Sequence, residues 1–243
     1  MKTYILGLSC YFHDSAATLI CNGDIIAAAQ EERFTRLKQD KQFPRHAVEF
    51  CLNFAGITLD QVTAVFYYEN PEEKFNRVLS TAVNNGLSGL KSLFSHVPGW
   101  LPDKRYVKRK LAKELLSFSQ KTPAIEYINH HRSHAASAFF PSPFEKALVL
   151  CIDGVGEWDT TTAWEGDGST LSKIWETRFP HSLGLLYSAF TYYCGFKVDS
   201  GEYKLMGLAP YGEPVYYGLI MDHLISVDDD GNFTMDMAYF DYA

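Results

Sequence analysis

The stretch YILGLSCYFHDSAATLICNGDIIAAAQ, residues 4–30, contains three short apolar runs. The dipeptide Asn22-Gly23 lies between the second run and the third. Asn-Gly between apolar runs is the strongest short-range signal for a β-hairpin, because both residues tolerate the left-handed backbone of a tight turn. The pattern therefore predicts three consecutive strands, over Tyr4–Ser9, Ala16–Cys21 and Asp24–Gln30.

The residues that follow extend these strands to an α/β unit. Apolar residues recur at helical spacing over Arg45–Ala55, Gly56 supplies a stop, and Ala64–Tyr68 has the composition of a strand. Residues 84–102 are rich in glycine, serine, asparagine and proline and predict a loop, after which a charged helix is expected near 103–119. Up to residue 68, the chain is thus predicted as three strands, a helix and a strand.

A second unit begins with the same order of elements. Asp153-Gly154 follows an apolar run, and two further runs come after it. The predicted elements of the repeat are strands over Ala147–Ile152, Thr160–Trp164 and Leu171–Thr177, and a helix over Leu183–Tyr193. A hairpin-led unit that occurs twice predicts an α/β fold of two duplicated lobes with a cleft between them. We place the first lobe at residues 1–145 and the start of an incomplete second lobe at 146–243.

Composition narrows the class of protein. The 243 residues are 47% hydrophobic and 21% charged, as in ordinary globular proteins. The formal net charge of −7 disfavours nucleic acid as the main partner, because phosphate binding needs a positive surface. The five cysteines have no CxxC spacing, and no apolar stretch reaches the roughly 18 residues of a membrane span. We therefore expect a cytoplasmic protein without a membrane partner.

Three of the eight histidines lie within HHRSHAASAF, residues 130–139. His130 and His134 are four residues apart, so on a helix both imidazoles project from one face, as a two-histidine metal site requires. The side chain of His131 is expected to point away from this pair. A site for iron, manganese or zinc also needs a carboxylate, and Asp153, at the end of an apolar run, is the candidate. The alternative is a solvated or core histidine cluster without a ligand.

The segment DGVGE, residues 153–157, is a candidate phosphate-binding turn. Gly154 and Gly156 leave backbone N–H groups uncovered by side chains. Such groups cradle phosphate, while the aspartate binds a cation that the phosphate also contacts. An ordinary hairpin turn explains the same residues equally well. Walker A, GxSxG and GxGxxG patterns are absent from the sequence.

Three further segments carry candidate residues. His13 lies in YFHDSAA between two predicted strands and can act as a base toward a hydroxyl, although a turn that merely tolerates polar residues is the alternative. Lys38 is one of the cations of EERFTRLKQDK, residues 31–41, which can contact a phosphate or a polarised carbonyl; a solvated loop is the other explanation. The composition of SGEYKLMGLAPYG, residues 200–212, predicts a turn with a close-approach surface around Lys204.

Taken in order, YFHDSAA, EERFTRLK, HHRSHAASAFFPSPF, DGVGE and GEYKLMGLAPYG resemble the amino-terminal domain of the nodulation-protein-U type carbamoyltransferases, a family that includes antibiotic O-carbamoyltransferases. The resemblance implies the fold of the actin, sugar-kinase and heat-shock-ATPase superfamily, with duplicated lobes of the ribonuclease-H type. It also implies that the second lobe continues beyond residue 243 and that a carboxy-terminal adenylate-forming domain is absent. We therefore expect the chain to be inactive by itself and to act with the rest of the same polypeptide.

The resemblance implies an O-carbamoyltransferase. In this family a carbamoyl group passes from carbamoyl adenylate, made from carbamoyl phosphate and ATP, to a hydroxyl of a small molecule or sugar. By the same resemblance, His13 would lie at the carbamoyl and acceptor site, and Lys38 near the carbamoyl adenylate. A divalent metal, Fe(II), would be bound by His130, His134 and Asp153. The nucleotide would contact Asp153, Gly154, Gly156, Glu157, Lys204 and Gly207.

Two other functions stay compatible with the sequence. A threonylcarbamoyl transferase that acts on tRNA belongs to the same superfamily, although the acidic composition disfavours it. A non-catalytic nucleotide-binding domain is the second, since a shared fold does not determine function. Such a domain has no need of paired histidines aligned with Asp-Gly.

Overall fold

The chain divides into two compact units. A computed structural model describes residues 2–84, 86 and 106–240. The first unit contains residues 2–76 and 106–130, and the second contains residues 77–84, 86 and 131–240. The lobe boundary expected between residues 145 and 146 stays a prediction.

The first unit is built on a five-stranded mixed sheet, whose strands are β1 (Tyr4–Ser9), β2 (Ala16–Cys21), β3 (Asp24–Gln30), β4 (Val62–Tyr67) and β5 (Ala124–Tyr127). Their order across the sheet is β3-β2-β1-β4-β5. The first three strands form an antiparallel meander, whereas β4 lies parallel to β1 and β5 lies parallel to β4. The turn between β2 and β3 has Asn22 at φ 54° and Gly23 at φ 100°, the left-handed backbone that the Asn-Gly signal predicts.

The described residues before His130 contain four α-helices, α1 (Glu32–Thr35), α2 (Arg45–Ala55), α3 (Pro71–Asn84) and α4 (Val107–Leu115). Helix α2 packs against β2 and β3, and α4 lies beside β5. Their apolar faces and the sheet share one hydrophobic core. Its fully buried members include Leu6, Leu19, Val48, Val65 and Leu111. Burial of each such side chain contributes about 1.5–3 kcal/mol, which holds the strands and helices in register.

Polar residues follow the parallel strands at one edge of this sheet. His13 comes after β1, Glu69 comes after β4, and His130 comes after β5. Because these three strands are parallel, their carboxyl ends lie at the same edge. Ligands of open α/β sheets bind outside the carboxyl ends of the strands. This edge is therefore where the first unit is expected to contribute to a functional site.

Helix α5 (His130–Phe139) begins at the last residue of the first unit and continues without interruption into the second. The sheet of the second unit is an antiparallel meander of β6 (Lys146–Ile152), β7 (Asp159–Asp167) and β8 (Thr170–Arg178). Helix α5 packs on this sheet through Ala135 and Phe139, which contact a core that includes Trp164. Gly166 allows this contact, because a Cβ there would lie 2.6 Å from the ring of Phe139.

The rest of the second unit contains α6 (Leu183–Tyr193), α7 (Glu202–Leu208), α8 (Tyr217–His223) and a hairpin of β9 (Ile225–Val227) and β10 (Phe233–Met235). The prediction of a turn over residues 200–212 is wrong, because most of this segment is the helix α7. The Glu202 carboxylate accepts hydrogen bonds from the N–H of Gly201 and from the hydroxyl of Ser188 in α6. This contact with another helix is a tertiary interaction, which composition does not contain.

The predicted fold class is confirmed for the described residues. Strands β1, β2 and β3 and helices α2 and α6 have the predicted bounds, and the meander of β6, β7 and β8 repeats that of β1, β2 and β3. The strand order and directions of the first sheet are those of a ribonuclease-H-type lobe. No helix in the described part of the chain is both long and apolar enough to cross a bilayer. The loop predicted at 84–102 lies outside the described residues, apart from residues 84 and 86.

Candidate functional site

The three predicted metal ligands converge in the structure. One ligand atom from each of His130, His134 and Asp153 lies within 4.8 Å of the other two. The histidines are one turn apart on α5, and Asp153 directly follows β6. At metal–ligand distances of about 2.1 Å, the atoms of one coordination shell lie about 3–4 Å apart, so small side-chain rotations suffice to hold an ion.

A buried hydrogen-bond network sets the orientation of α5. His131 is 0% exposed, and its Nδ1 lies 2.9 Å from Oγ1 of Thr162 on β7. The same Oγ1 accepts a hydrogen bond of 2.8 Å from Nε1 of Trp164. His131 is directed at the sheet through Thr162, whereas the ligand atoms of His130 and His134 converge with that of Asp153. His131 is therefore not one of the three converging residues, as the sequence predicts.

The donor set fits a divalent transition metal. Two imidazoles and one carboxylate, with other positions left for water or substrate, are typical ligands of non-haem Fe(II). His134 is exposed, while His130 and Asp153 are half-buried. A metal held there would remain accessible to a phosphate oxygen. The presence of a metal and its identity stay predictions.

The DGVGE turn is ordered by its own hydrogen bonds. The N–H of Gly154 donates to Oδ1 of Asp153 at 2.7 Å, and the N–H of Gly156 donates to the carbonyl of Asp159 at 2.9 Å. Glu157 is 1% exposed. Both glycine N–H groups thus already have hydrogen-bond partners nearby in the chain. To bind phosphate as predicted, they would have to exchange these hydrogen bonds for bonds to the phosphate.

His13 is hydrogen-bonded to its neighbour in the chain. Its Nδ1 lies 2.8 Å from Oδ2 of Asp14, and the two side chains are 46% and 41% exposed. When Nδ1–H donates to the carboxylate, the lone pair is on Nε2. The imidazole also packs against Phe12, with ring centroids 4.5 Å apart. His13 therefore has the exposure of a group that can accept a proton, through Nε2 when Nδ1–H donates to Asp14.

The loop that carries His13 is joined to the loop that carries Lys38. The N–H groups of Tyr11 and Ser15 donate to the carbonyls of Lys41 and Asp40, both at 2.8 Å. The Ser15 hydroxyl donates to the carbonyl of Gln42 at 2.6 Å. We call residues 11–15 and 36–42 the paired loops. Lys38 is exposed on the second of them.

The paired loops concentrate unfavourable backbone conformations. Six non-glycine residues of the described chain have positive φ, and four of them lie in these loops. They are Tyr11 at 70°, Asp14 at 48°, Arg36 at 60° and Gln39 at 56°. Such residues cost about 1–3 kcal/mol each and cluster at binding and catalytic sites. The strain supports a functional role for the segment around His13 and Lys38.

Glu31 is a structural residue that sequence reasoning did not single out. It is 2% exposed, and its carboxylate accepts hydrogen bonds from the N–H groups of His46 and Ala47 in the first turn of α2. His46 Nδ1 is a further contact at 2.6 Å. A carboxylate at a helix amino terminus binds unsatisfied N–H groups and complements the helix dipole. Glu31 thus fixes the start of α1, the helix that precedes the second paired loop, against α2.

Glu69, which follows β4, is linked through Lys74 to Phe12 of the first paired loop. Glu69 pairs with Lys74 at 2.7 Å, and the Lys74 ammonium also lies 5.0 Å from the ring centre of Phe12. Burial raises the pKa of Tyr67 and of Tyr68, and the Tyr67 hydroxyl donates to the carbonyl of Cys10 at 2.7 Å. Both phenols therefore stay protonated, so neither is a base.

Lys204 and Gly207 are exposed on α7. The ammonium of Lys204 lies 5.9 Å from the ring centre of Tyr203, and a Cβ at Gly207 would meet no atom within 4 Å. The space above Gly207 is therefore open, as a nucleotide-contacting surface requires. Nucleotide binding by these two residues stays a prediction.

Comparison with known proteins identifies the family. The family described as carbamoyltransferase N-terminus matches residues 4–243. An uncharacterized protein of Synechocystis sp. is 54% identical over 245 residues, which cover 99% of this chain and 40% of that protein. Nodulation protein NolNO of Sinorhizobium fredii is 35% identical over 226 residues, which cover 92% of this chain and 31% of that protein. The chain thus spans less than half the length of these relatives.

A solved structure, YeaZ from Pseudomonas aeruginosa, aligns with a TM-score of 0.39 and 13% sequence identity over 73% of this chain and 67% of that chain. The family match begins at the first residue of β1 and includes the converging ligands and the paired loops. The resemblance that the sequence motifs indicate is therefore confirmed. The chain belongs to the carbamoyltransferase N-terminus family.

Proposed function

We propose that this protein transfers a carbamoyl group from carbamoyl adenylate to a hydroxyl oxygen of a small molecule or sugar. Membership of the carbamoyltransferase N-terminus family supports transfer of a carbamoyl group. The observation that carries the proposal is the convergence of His130, His134 and Asp153 to within 4.8 Å. A non-catalytic nucleotide-binding domain has no need of such a group.

The metal is assigned to these three residues. A divalent cation there, Fe(II) by our proposal, would offset negative charge on the phosphate of the departing AMP. The DGVGE turn presents Gly154 beside Asp153, and Lys204 supplies a second positive charge for the nucleotide. Glu157, which is buried in the same turn, is assigned to the nucleotide as the resemblance implies.

His13 removes the proton of the acceptor in this proposal. The hydroxyl proton passes to Nε2 as the acceptor oxygen forms a bond to the carbamoyl carbon. The bond from that carbon to the phosphate oxygen breaks, and AMP leaves with the electron pair. Asp14, at 2.8 Å from Nδ1, holds the ring in the required tautomer and stabilises the imidazolium that results.

Lys38 has an electrostatic role in the same step. Negative charge develops on the carbamoyl oxygen as the acceptor attacks, and a nearby ammonium stabilises it. Lys38 is exposed, and its loop is tied to the His13 loop by three hydrogen bonds. Attachment of both residues to the paired loops would deliver them to the reacting carbon together.

Formation of the carbamoyl donor is assigned to another part of the enzyme. We propose that carbamoyl adenylate is formed from carbamoyl phosphate and ATP by an adenylate-forming domain of the same polypeptide. The chain spans 40% and 31% of the length of its two relatives, so each of those proteins has further residues. We place the reaction in the cytoplasm, where ATP is available.

The proposal is tested by supplying carbamoyl adenylate, together with a panel of aminoglycosides, sugars and other hydroxyl compounds, to a polypeptide that contains this chain and the rest of the enzyme. We expect one acceptor to gain the mass of a carbamoyl group with release of an equal amount of AMP. His13→Ala should lose this transfer. Binding of the adenylate without transfer to any acceptor would indicate a nucleotide-binding domain. Modification of tRNA alone would indicate the threonylcarbamoyl alternative.

A further inference from the structure

Gly184 packs directly on the backbone of the metal-ligand turn. It is the second residue of α6. A Cβ at this position would lie 2.3 Å from the carbonyl oxygen of Asp153, 2.4 Å from its carbonyl carbon and 2.6 Å from the nitrogen of Gly154. All three are backbone atoms, which cannot rotate away as a side chain can. Only glycine therefore allows α6 to approach Asp153 this closely.

Ser182 joins the same two segments by hydrogen bonds. The residue is 0% exposed. Its hydroxyl donates to the carbonyl of Gly154 at 2.6 Å and lies 3.2 Å from the carbonyl of Asp153. The same oxygen accepts the N–H of Leu185 at 3.0 Å and so caps α6. One hydroxyl thus links the start of α6 to the peptide that follows the metal ligand.

The start of α6 is itself anchored in the second unit. The carbonyl of His181 accepts the Thr160 hydroxyl at 2.5 Å, and His181 Nδ1 accepts the N–H of Met235 at 3.0 Å. Thr160 is the second residue of β7, and Met235 is the last residue of β10. The segment that presents Ser182 and Gly184 is therefore fixed from two sides.

We propose that Gly184 and Ser182 are positioning residues that set the place of Asp153 relative to His130 and His134, and thereby set the affinity of the metal site. The backbone N–H of Asp153 is bonded to the carbonyl of Thr160 at 2.9 Å. Because α6 also holds the carbonyl of Asp153, the peptides on both sides of the aspartate are constrained. The inference rests on the proposed function, because it assumes that the three residues bind a metal.

The effect is expected to be large because coordination tolerates little displacement. Metal–ligand distances are held to within about 0.2 Å, and loss of a supporting contact outside the ligand shell costs about 10–100-fold in affinity. An added Cβ at Gly184 must move α6 or the Asp153 peptide by more than this tolerance. The histidines on α5 would stay in place, since His131 and Thr162 hold that helix.

The test is titration of the protein with Co²⁺, whose visible absorption reports the number and type of ligands. We expect Gly184→Ala and Ser182→Ala to weaken binding by about 10–100-fold and to change the absorption spectrum. Ser182→Ala adds no atom, so it carries the test if Gly184→Ala does not fold. Melting temperature and circular dichroism are recorded for every variant.

Two controls separate positioning from general loss of stability. Gly218, also the second residue of a helix, has no atom within 4 Å of its Cβ position, so Gly218→Ala should bind Co²⁺ as the unmodified protein does. A Cβ added at Gly201 would lie 2.5 Å from the carbonyl oxygen of Lys197, which is away from the metal site. Gly201→Ala should therefore lower the melting temperature without changing Co²⁺ affinity.

Three outcomes would overturn the inference or the metal site on which it rests. If the unmodified protein binds Co²⁺ and a folded Gly184→Ala or Ser182→Ala variant binds it equally well with an unchanged spectrum, the positioning inference is wrong and the metal site stands. If the unmodified protein does not bind Co²⁺, the proposed metal site fails first. Equal weakening in Gly201→Ala would show that the effect is general destabilisation and would also overturn the inference.

Discussion

The converging ligands and the paired loops hold their functional residues in opposite ways. His130, His134 and Asp153 are attached to a helix and a strand end whose supports are buried: His131, Thr162 and Ser182 are each 0% exposed. His13 and Lys38 lie on exposed loops with four left-handed residues. The first region is fixed by regular structure, and the second by hydrogen bonds between two irregular segments.

This difference fits the chemistry assigned to each region. Metal coordination depends on distances held to about 0.2 Å, which regular elements with buried supports provide. A base that takes a proton must meet an acceptor that arrives from solvent, so exposure is required, and catalytic hydrogen bonds commonly tighten only when substrate binds. We therefore expect that changes in the paired loops leave metal affinity intact.

The largest effect is expected for His134→Ala. Removal of one imidazole leaves a single histidine and a carboxylate, so stoichiometric Fe²⁺ or Co²⁺ binding should be lost. Equilibrium dialysis with metal analysis measures this. His223→Ala, which removes an exposed histidine of α8, is the matched control and should retain binding. Full binding by the His134 variant would contradict the assignment.

The second effect is expected for His13→Ala. Loss of a general base lowers a rate by about 10²–10⁴-fold, so transfer from carbamoyl adenylate should fall by that factor in kcat. Asp14→Asn should fall less, because the base remains and only its orientation is weakened. Metal affinity should not change in either variant. A variant that lost metal and activity together would show that the two regions are not independent.

A smaller effect is expected for Thr162→Val. The change removes the hydroxyl that contacts His131 and accepts from Trp164, while keeping the shape of the side chain. Loss of a partner for buried polar groups costs about 1–3 kcal/mol. Denaturant unfolding should show this loss, together with weaker metal binding. Thr170→Val, at an exposed position of β8, should change the free energy of unfolding by less than about 0.5 kcal/mol.

The smallest effect concerns the pH dependence of stability at α7. Burial would raise the pKa of Glu202, but hydrogen bonds from N–H groups, including those of Asp199 and Gly201, and from the Ser188 hydroxyl hold it below its usual value. Because the folded pKa is depressed, this contribution is complete above the unfolded pKa of about 4.3 and is lost as pH falls through the folded value.

Glu202→Gln tests that sign. The variant should be less stable than the unmodified protein above about pH 5, and the difference should shrink toward about pH 3. Urea unfolding at a series of pH values measures it. Glu213→Gln, at an exposed glutamate, is the control. A difference that grew as pH fell would show that the sign is wrong.

Sequence reasoning predicted the elements whose signals are local. Asn22-Gly23 gave the hairpin its turn, and helical spacing placed α2 and α6 at their observed bounds. The three ligand residues were also predictable as candidates, because a four-residue spacing on a helix and a strand end with an aspartate are local patterns. Each of these predictions depends only on residues that are close together in the chain.

The contacts that sequence reasoning missed join residues far apart in the chain. Glu31 caps a helix that begins at Arg45, and Ser182 binds a peptide 28 residues before it. Ser188 of α6 donates a hydrogen bond to Glu202 of α7, a contact that the glycine and proline content of the segment does not indicate. The paired loops are likewise invisible without the sheet that brings them together.

The central claim is that His130, His134 and Asp153 bind one divalent metal. Crystals grown with Fe²⁺ under anoxic conditions would test it by anomalous scattering at the iron edge. The account predicts a peak bonded to the three residues at about 2.0–2.2 Å. Iron bound by other residues, or no iron at this position in crystals that contain it, would contradict the claim.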